Sequence, residues 1–360
     1  MESVPRADNY AYAVSYVRAL RSRLLSPEQY ETLLKAKDEQ EALRYLTETV
    51  YAERLTKLSG KQWDPIETDL AIFEDYYDIL GELLRTRTTE ATRQLLETTY
   101  VRQEFSCLKI IMRLVKAETI PEELAQLVTP VGRYTPERIL RLLKTRDIRQ
   151  LLEDIDDPKA RTMAIENLEK YEKTNSTLPI EVAADKFHLS SLWDMASRLD
   201  NWDREPVQDI VGTEVDAANV NLILRSKNLG MSASALQDLV IPIRYRLGQE
   251  AELAFEVATA EEAMRVLSTG YYRSIISSVT TECERKRSIL PLEIAMKKFF
   301  VERCSRVFIG FPFGVAPLLA FLNLKYLEGL DIRTLLLGKR DKMTAEALRH
   351  LLIMNAKPYD

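Results

Sequence analysis

The sequence has few of the residues from which metal sites, disulfide frameworks and flexible loops are built. Its 360 residues include three cysteines, two histidines and 11 glycines. Cys107, Cys283 and Cys304 form no CxxC pair, which argues against a zinc knuckle or a disulfide framework and is typical of a reducing compartment. His188 and His350 lie far apart without a neighbouring cysteine, so we expect them to be structural or surface residues. The sequence therefore predicts neither a metal site nor a cofactor.

An excess of basic charge and a long apolar run are also missing. Fifty Lys and Arg residues stand against 55 Asp and Glu residues, a net charge of −5, which argues against nucleic acid as a partner. The most apolar stretch, Val307 to Leu322, is shorter than the roughly 20 residues needed to cross a bilayer and is interrupted by Pro312 and Pro317. We interpret it as a buried turn that leads into a core helix. The first residues also lack the apolar region of a secretory signal, so we expect a cytoplasmic location without a membrane span.

Helical patterns are present along most of the chain. Apolar residues recur every three or four positions, and no alternating β-branched runs closed by Asn-Gly or Asp-Gly turns indicate a hairpin. With 46% hydrophobic and 29% charged residues, the composition is that of a folded globular protein. Capping patterns predict helix starts at Ser26 with Gln29, at Asp64 with Glu67 and at Thr259 with Glu262. The sequence thus predicts an all-α fold.

The sequence repeats with a period of 112 residues. Residues 104–130 align with residues 216–242 without a gap, and a further step of 112 reaches the C-terminal region. The aligned positions include Glu104, Asp216 and Glu328, and also Leu124, Leu236 and Leu348. Each unit is longer than the units of about 33 to 47 residues in ankyrin, TPR or HEAT arrays and can hold a small core of its own.

Weaker copies occur near the start of the chain. Residues 26–30 resemble residues 120–124, and residues 41–46 resemble residues 262–267 at an offset of 221. We therefore predict three related helical modules arranged as a pseudo-threefold funnel. The predicted segments are 1–103 as the first part of the repeat, 104–215 and 216–327 as helical modules, and 328–360 as a partial module that completes the threefold body.

The repeated polar residues are candidates for contacts between helices. Glu104 and Arg113 are nine residues apart, as are Asp216 and Arg225, so each pair lies about 180° apart around a helix and cannot pair within it. We expect each of these residues to pair with a residue of another helix or module. The alternative is that each is a charge exposed to solvent. The candidate repeat-equivalent structural residues are Glu104, Arg113, Asp216, Asn219, Arg225, Glu328 and Arg333.

These features resemble the C subunits of the archaeal and bacterial A/V-type rotary ATPases, the counterparts of the d subunits of eukaryotic V-ATPases. The first copy departs from the family pattern, because Glu104 and Cys107 stand where the pattern prefers Asp and Asn, so we expect weaker hydrogen bonding there. The similarity covers nearly the whole chain and is carried by residues 12–25, by Asp216, Asn219, Ile223, Leu224, Arg225 and Lys227, by residues 314–317, and by Lys325, Glu328, Ile332, Arg333, Gly338 and Lys339.

The resemblance implies a noncatalytic subunit of the central stalk. Such a protein sits as a single copy on the cytoplasmic face of the proteolipid rotor ring, as a peripheral membrane protein. The central shaft rests in its funnel, and its rotation couples ATP synthesis or hydrolysis to ion transport. The resemblance therefore implies ring and shaft subunits as partners and no catalytic residue.

Two other functions remain open at this point. A general helical scaffold would join other partners, whereas a Mg²⁺-dependent helical transferase or lyase would use Asp154, Asp156 and Asp157. Pro158 follows this acidic cluster directly and is typical of a helix boundary. No phosphate-binding motif of the P-loop or G-x-G-x-x-G type occurs in the sequence, which argues against nucleotide binding.

Overall fold

The computed structural model describes residues 5–56, 64–115, 121–125, 127–128, 130–310 and 313–354. These residues confirm the predicted all-α fold, and the one β-bridge among them, between Val131 and Tyr134, is isolated. The helices are α1 (Pro5–Arg21), α2 (Pro27–Lys35), α3 (Glu39–Leu46), α4 (Ala52–Leu55), α5 (Pro65–Arg85), α6 (Glu90–Val115), α7 (Pro121–Ala125), α8 (Pro136–Thr145), α9 (Ile148–Glu153), α10 (Pro158–Glu166), α11 (Leu168–Thr174), α12 (Leu178–Ser197), α13 (Asn201–Asn228), α14 (Ala233–Leu239), α15 (Gln249–Glu256), α16 (Ala260–Leu267), α17 (Arg273–Lys286), α18 (Leu290–Arg306), α19 (Ala316–Arg340) and α20 (Ala345–Leu351).

The predicted helix starts are confirmed by their capping hydrogen bonds. The Ser26 hydroxyl accepts from the Gln29 N–H at 3.3 Å, and the Gln29 side chain accepts from the Ser26 N–H at 2.8 Å. Thr259 and Glu262 form the same reciprocal pair at the start of α16. The Asp64 carboxylate caps α5. These side chains satisfy backbone donors that have no partner inside the helix.

The apolar stretch before α19 is only partly buried. Val307–Ile309 forms a short 3-10 turn in which Phe308 is buried, but Ile309 is 86% exposed. The prediction of a buried turn is therefore wrong at Ile309, because a turn at the end of a helix pair cannot direct every side chain inwards. The start of α19 that follows is buried, and Pro312 lies outside the described residues. Within the described ranges, no helix is long and apolar enough to cross a membrane.

The first halves of three long helices, α6, α13 and α19, share one hydrophobic core. Leu95, Val207 and Leu319 occupy the same position in successive copies of the repeat, and all three are buried in this shared core. Side chains from α1, α5, α12 and α18 complete it. The shared core therefore joins all copies of the repeat in one body.

The second halves of the long helices enter three separate cores. Leu108, Val220 and Ile332 are again repeat equivalents, and each lies in a different core. The predicted segment boundaries at 103/104, 215/216 and 327/328 thus fall inside α6, α13 and α19, close to where each helix leaves the shared core. Boundaries placed by the sequence period therefore lie where each long helix passes from the shared core to a separate core. They do not lie in loops.

The third of these separate cores combines both ends of the chain. Helices α2 to α5 pack there against the end of α19 and α20. The Lys339 ammonium donates to the Leu34 carbonyl oxygen at 2.6 Å, and its repeat equivalent Lys227 donates to the Phe255 carbonyl oxygen at 2.5 Å. Leu34 lies at the end of α2 and Phe255 at the end of α15, so these two helices occupy equivalent places.

The two sequence similarities near the N-terminus therefore have different structural causes. The offset of 221 between residues 41–46 and 262–267 relates α3 to α16, in agreement with the equivalence of α2 and α15. The similarity between residues 26–30 and 120–124 does not reflect equivalent positions, because α2 takes the place of α15 and not of α7. A cap followed by Pro and Glu is a general helix-start pattern, which explains the similarity.

Replacement of Gly338 tests the packing of the third core. A Cβ atom at this α19 position would collide with the side chain of fully buried Leu348 on α20 and approach the Met343 sulfur. We expect Gly338→Ala to lower the free energy of unfolding by about 1 to 3 kcal/mol. Denaturant unfolding followed by circular dichroism measures this change.

The matched control is Gly81→Ala in α5, where the nearest atom to an added Cβ is an Arg85 nitrogen at 3.6 Å. We expect this variant to gain about 0.5 to 1 kcal/mol from helix propensity. Equal effects of the two substitutions would contradict the close approach of α19 and α20.

Candidate interaction site around the three long helices

Asp216 fixes a loop to the middle of α13. Its carboxylate is fully buried and accepts from the backbone N–H groups of Tyr245 at 3.0 Å, Arg246 at 2.6 Å and Leu247 at 3.2 Å. The Tyr272 hydroxyl donates to the same carboxylate at 2.9 Å. Burial raises the pKa of Asp216, and these hydrogen bonds oppose the rise. One side chain thus positions the segment before α15 and the start of α17.

Glu328 has the same role in the unit that contains both chain ends. It accepts from the Leu25 N–H at 2.5 Å and from the Tyr51 hydroxyl at 2.7 Å, and the Lys325 ammonium lies 3.3 Å away. Burial first, and then the charge of Glu328, raises the pKa of Tyr51 well above its ordinary value. Tyr51 and Tyr272 are related by the offset of 221 that relates α3 to α16. The N-terminal helices are therefore tied to α19 by a buried carboxylate.

Glu104 makes fewer contacts in the first copy. It accepts from the Arg133 N–H at 3.2 Å, and the Arg133 guanidinium lies 3.4 Å away. Arg133 and Tyr245 are repeat equivalents, so this backbone contact matches one of those at Asp216. Cys107, the repeat equivalent of Asn219, is buried. Among the described residues, Glu104 therefore accepts from one backbone N–H group, whereas Asp216 accepts from three.

Asn219 and Asp331 hold equivalent segments by similar hydrogen bonds. The Asn219 amide donates to the Ile241 and Ile243 carbonyl oxygens, and its oxygen accepts from the Ile241 N–H at 2.9 Å. Asp331 accepts from the N–H groups of Ile353 at 3.0 Å and Met354 at 2.7 Å. Asp331 was not among the sequence candidates, although its position one period after Asn219 identifies it.

The repeated arginines form ion pairs between helices. Arg113 on α6 binds Glu181 on α12, with Nε to Oε1 at 2.9 Å, and Arg225 on α13 binds Glu293 on α18 at 2.8 Å. The residues of each pair are 68 positions apart. Burial raises the pKa of Glu181, but hydrogen bonds from Arg113 and Thr177 outweigh it, and the net pKa is lowered.

Arg333 makes the corresponding ion pair from a different position on its helix. Its Nε lies 3.0 Å from Asp69 on α5, and Asp69 is the repeat equivalent of Glu181 and Glu293. One period after Arg225 stands Leu337, so the cation in the third copy comes from one turn earlier. Arg333 also donates to the Leu127 carbonyl oxygen at 2.8 Å.

Repeat-equivalent side chains also touch each other between the long helices. The Arg102 guanidinium binds the Glu214 carboxylate at 2.6 Å, although the two residues are 112 positions apart. It lies 5.6 Å above the ring of Tyr326, the next equivalent residue. Asp203 likewise accepts from the Val315 N–H at 2.9 Å across the same separation. These residues were not among the sequence candidates, because their different chemical types conceal their shared position.

The acidic cluster that the enzyme alternative would use makes local structural contacts instead. Asp154 and Asp156 bind the Arg138 guanidinium at 2.7 and 2.9 Å. The Asp157 side chain caps α10 by accepting from the Ala160 N–H at 2.8 Å. Among the described residues, no group of three His, Cys, Asp or Glu side chains could hold a metal ion. These carboxylates are therefore engaged in local structure.

The cysteines and His188 lie in the interior. All three cysteines are free and buried, and burial raises the pKa of Cys107 to about 12. Burial lowers the pKa of His188 well below its ordinary value, whereas His350 is exposed on α20. Thiols held in the protonated form are poor nucleophiles.

Comparison with known proteins identifies the family. A family model described as ATP synthase (C/AC39) subunit matches residues 13–351. The chain belongs to the ATP synthase (C/AC39) subunit family. It is 23% identical to the C subunit of the A-type ATP synthase of Methanocaldococcus jannaschii, over 96% of this chain and 86% of the relative. It is 23% identical to the C subunit of Methanococcoides burtonii, over 97% and 95% of the two chains, and 24% identical to that of Archaeoglobus fulgidus, over 96% of each. Membership of this family makes the chain a noncatalytic subunit of an ATP synthase.

Substitution of the repeated carboxylates tests their unequal roles. Asp216→Ala leaves three backbone donors and the Tyr272 hydroxyl without their acceptor, so we expect it to lower the free energy of unfolding by more than about 2 kcal/mol. Glu104→Ala removes fewer contacts and should cost less. Denaturant unfolding of both variants measures the difference, and a larger loss for Glu104→Ala would contradict the assignment.

Asp331 predicts a pH dependence of stability. Burial raises its pKa to about 7, against about 3.9 in an unfolded chain. A carboxyl group with a raised folded-state pKa binds its proton more tightly in the folded protein, so its stabilising contribution is present below about pH 4 and is lost as the pH rises through about 7. Asn is the residue at the equivalent position 219 and cannot ionise.

We therefore expect Asp331→Asn to flatten the decline in unfolding free energy between about pH 4 and pH 7 and to gain about 1 kcal/mol at pH 8. Urea unfolding at a series of pH values measures this profile. Asp341→Asn at an exposed position is the control and should leave the profile unchanged. An unaltered pH profile in Asp331→Asn would show that another group controls this range.

Proposed function

We propose that this chain is the central-stalk adapter of an A-type ATP synthase. It joins the shaft subunits to the proteolipid rotor ring on the cytoplasmic side of the membrane and transmits torque between them. Family membership supports a role in the complex, and the contacts between repeat-equivalent residues support a place on its axis. The contacts between repeat-equivalent residues are the observation that carries the proposal.

A geometric constraint supports the proposed axial position. Three copies related by a threefold rotation hold equivalent atoms at distances that grow with their distance from the axis. The contact of Arg102 with Glu214 at 2.6 Å, and that of Asp203 with Val315 at 2.9 Å, therefore support an axis between the first halves of α6, α13 and α19. A body built around an axis is suited to a single copy on a rotor.

Side-chain exposure supports a funnel that opens towards the ends of the long helices. Leu95, Val207 and Leu319 are buried near the helix starts, whereas Arg113 and Arg225 have side chains that are 56% and 52% exposed further along. The wide end would receive the shaft, and the closed end would face the ring. This orientation also separates two partners onto opposite surfaces of one body.

A torque adapter must resist deformation. The shared core joins the three separate cores, and buried carboxylates tie the loops to the long helices at Asp216 and Glu328. With 11 glycines in 360 residues, the chain contains few points of high backbone freedom. These features favour transmission of force over a catalytic or flexible scaffolding role.

Removal of the chain from its complex tests this function. We expect membranes that lack it to keep ATP hydrolysis in the catalytic head while losing hydrolysis-driven ion transport, because the shaft no longer turns the ring. Addition of the purified chain should restore transport. ATPase activity and ion uptake into the same vesicles measure the two quantities.

The shaft subunits should also be lost from the depleted membranes after mild detergent washing. Ion transport that stays fully coupled without the chain would contradict the proposed role. Loss of hydrolysis and transport in equal measure would favour a scaffold needed for assembly instead.

A further inference from the structure

Each long helix has one stripe of accessible residues that begins where the three helices meet. The meeting point is the contact of Arg102 with its repeat equivalents Glu214 and Tyr326. From there the accessible positions recur every three or four residues, which keeps them on one face of each helix. The three stripes consist of residues 106, 109, 110, 113 and 114 on α6, residues 217, 218, 221, 222 and 225 on α13, and residues 330, 333, 334 and 337 on α19.

The burial of α19 supports stripes that border an interior space. From residue 316 to residue 325 every position of this helix is buried. Between residues 326 and 339 the accessible positions are Tyr326 and the stripe, and the other faces are covered by the rest of the chain. Because equivalent residues touch each other where the stripes begin, the stripes are suited to face a common axis. They correspond to the inner wall of the proposed funnel.

Much of this wall is apolar. Ala218 and Leu330 lie at the edge of the shared core, whereas Ile110 and Leu222 lie further along the helices at the edges of two separate cores. Ile110 and Leu222 are repeat equivalents, so they occupy the same level of the wall. Accessible apolar side chains that are grouped in this way are typical of a surface that binds another protein. The wall therefore favours an apolar occupant.

The charged residues of the stripes are basic. They are Lys109, Arg113, Arg225 and Arg333. Arg113 and Arg225 are more than half exposed, whereas the side chains of their partners Glu181 and Glu293 are 8% and 15% exposed. Each of these ion pairs uses the Nε and Nη2 atoms of its arginine and leaves out Nη1. The two guanidinium groups at the rim of the wall therefore retain N–H donors for a further acceptor.

We propose that the apolar wall and the two rim arginines bind the end of a shaft subunit that has an apolar tip and carboxylates behind it. This inference rests on the proposed function and specifies the chemistry of the bound end. Arg113 lies seven residues beyond Ser106, so about 10 Å separates the rim from the deepest level of the wall. Guanidinium groups bind carboxylates through charged hydrogen bonds, which are stronger than neutral ones.

The third position of the rim differs from the other two. Leu337 on α19 is the repeat equivalent of Arg113 and Arg225, and it is partly accessible. The rim is thus basic on two sides and apolar on the third. This difference fixes the rotational setting in which an acidic shaft end docks.

Two substitutions at Leu337 test the charge of the shaft end, with purified shaft subunits of the same ATP synthase as the probe. Leu337→Glu adds a carboxylate to the rim, and we expect binding to be at least about tenfold weaker at low salt. Leu337→Lys adds a third cation and should bind as tightly as the unmodified chain or more tightly. Equal binding by the two variants, or tighter binding by Leu337→Glu, would overturn the acidic shaft end.

Leu222→Ser tests the apolar wall, and Leu253→Ser, at a 59% exposed position on α15, is its matched control. We expect the first to weaken binding about tenfold at low and at high salt and the second to leave it unchanged. Thermal unfolding of each variant separates loss of binding from loss of the fold. Unaltered binding by Leu222→Ser would overturn the wall and leave the adapter role intact. If the unmodified chain does not bind the shaft subunits, the adapter role fails and the site fails with it.

Discussion

Arg102 and Glu214 stand at the same position in successive copies of the repeat, yet their side chains are 2.6 Å apart. In a linear array of modules, equivalent residues would be separated by the width of a module. Contact between them supports the proposed arrangement, in which the copies turn around a common line. The rest of the arrangement follows from this constraint, because each long helix can bury its first half with the others and must bury its second half with its own neighbours.

Buried polar contacts specify how the helices and loops of this arrangement pack together. A buried carboxylate is costly unless it is hydrogen-bonded, and Asp216 and Glu328 meet that condition with backbone N–H groups from distant segments. Partly exposed pairs such as Arg225 with Glu293 contribute little to stability on their own. Their repetition at corresponding positions instead sets the register between antiparallel helices.

Local features of the fold could be predicted from the sequence, since caps and apolar spacing act over a few residues. The starts at Ser26, Asp64 and Thr259 are of this kind. The partners of Arg113 and Arg225 could not be predicted, because Glu181 and Glu293 lie on helices whose packing depends on the whole chain. The sequence also did not predict that both ends of the chain pack in one core. Nor did it predict that α2 occupies the position equivalent to α15. Contacts between different residue types at one repeat position, such as Arg102 and Glu214, leave no trace in a pattern of identical residues.

The most direct test of the central claim is a cryo-electron microscopy map of the intact ATP synthase that contains this chain. We predict a single copy between shaft and ring, with the first halves of α6, α13 and α19 surrounding the rotation axis and the shaft end against their second halves. A copy attached to the stator, or one whose long helices lie away from the axis, would contradict this arrangement.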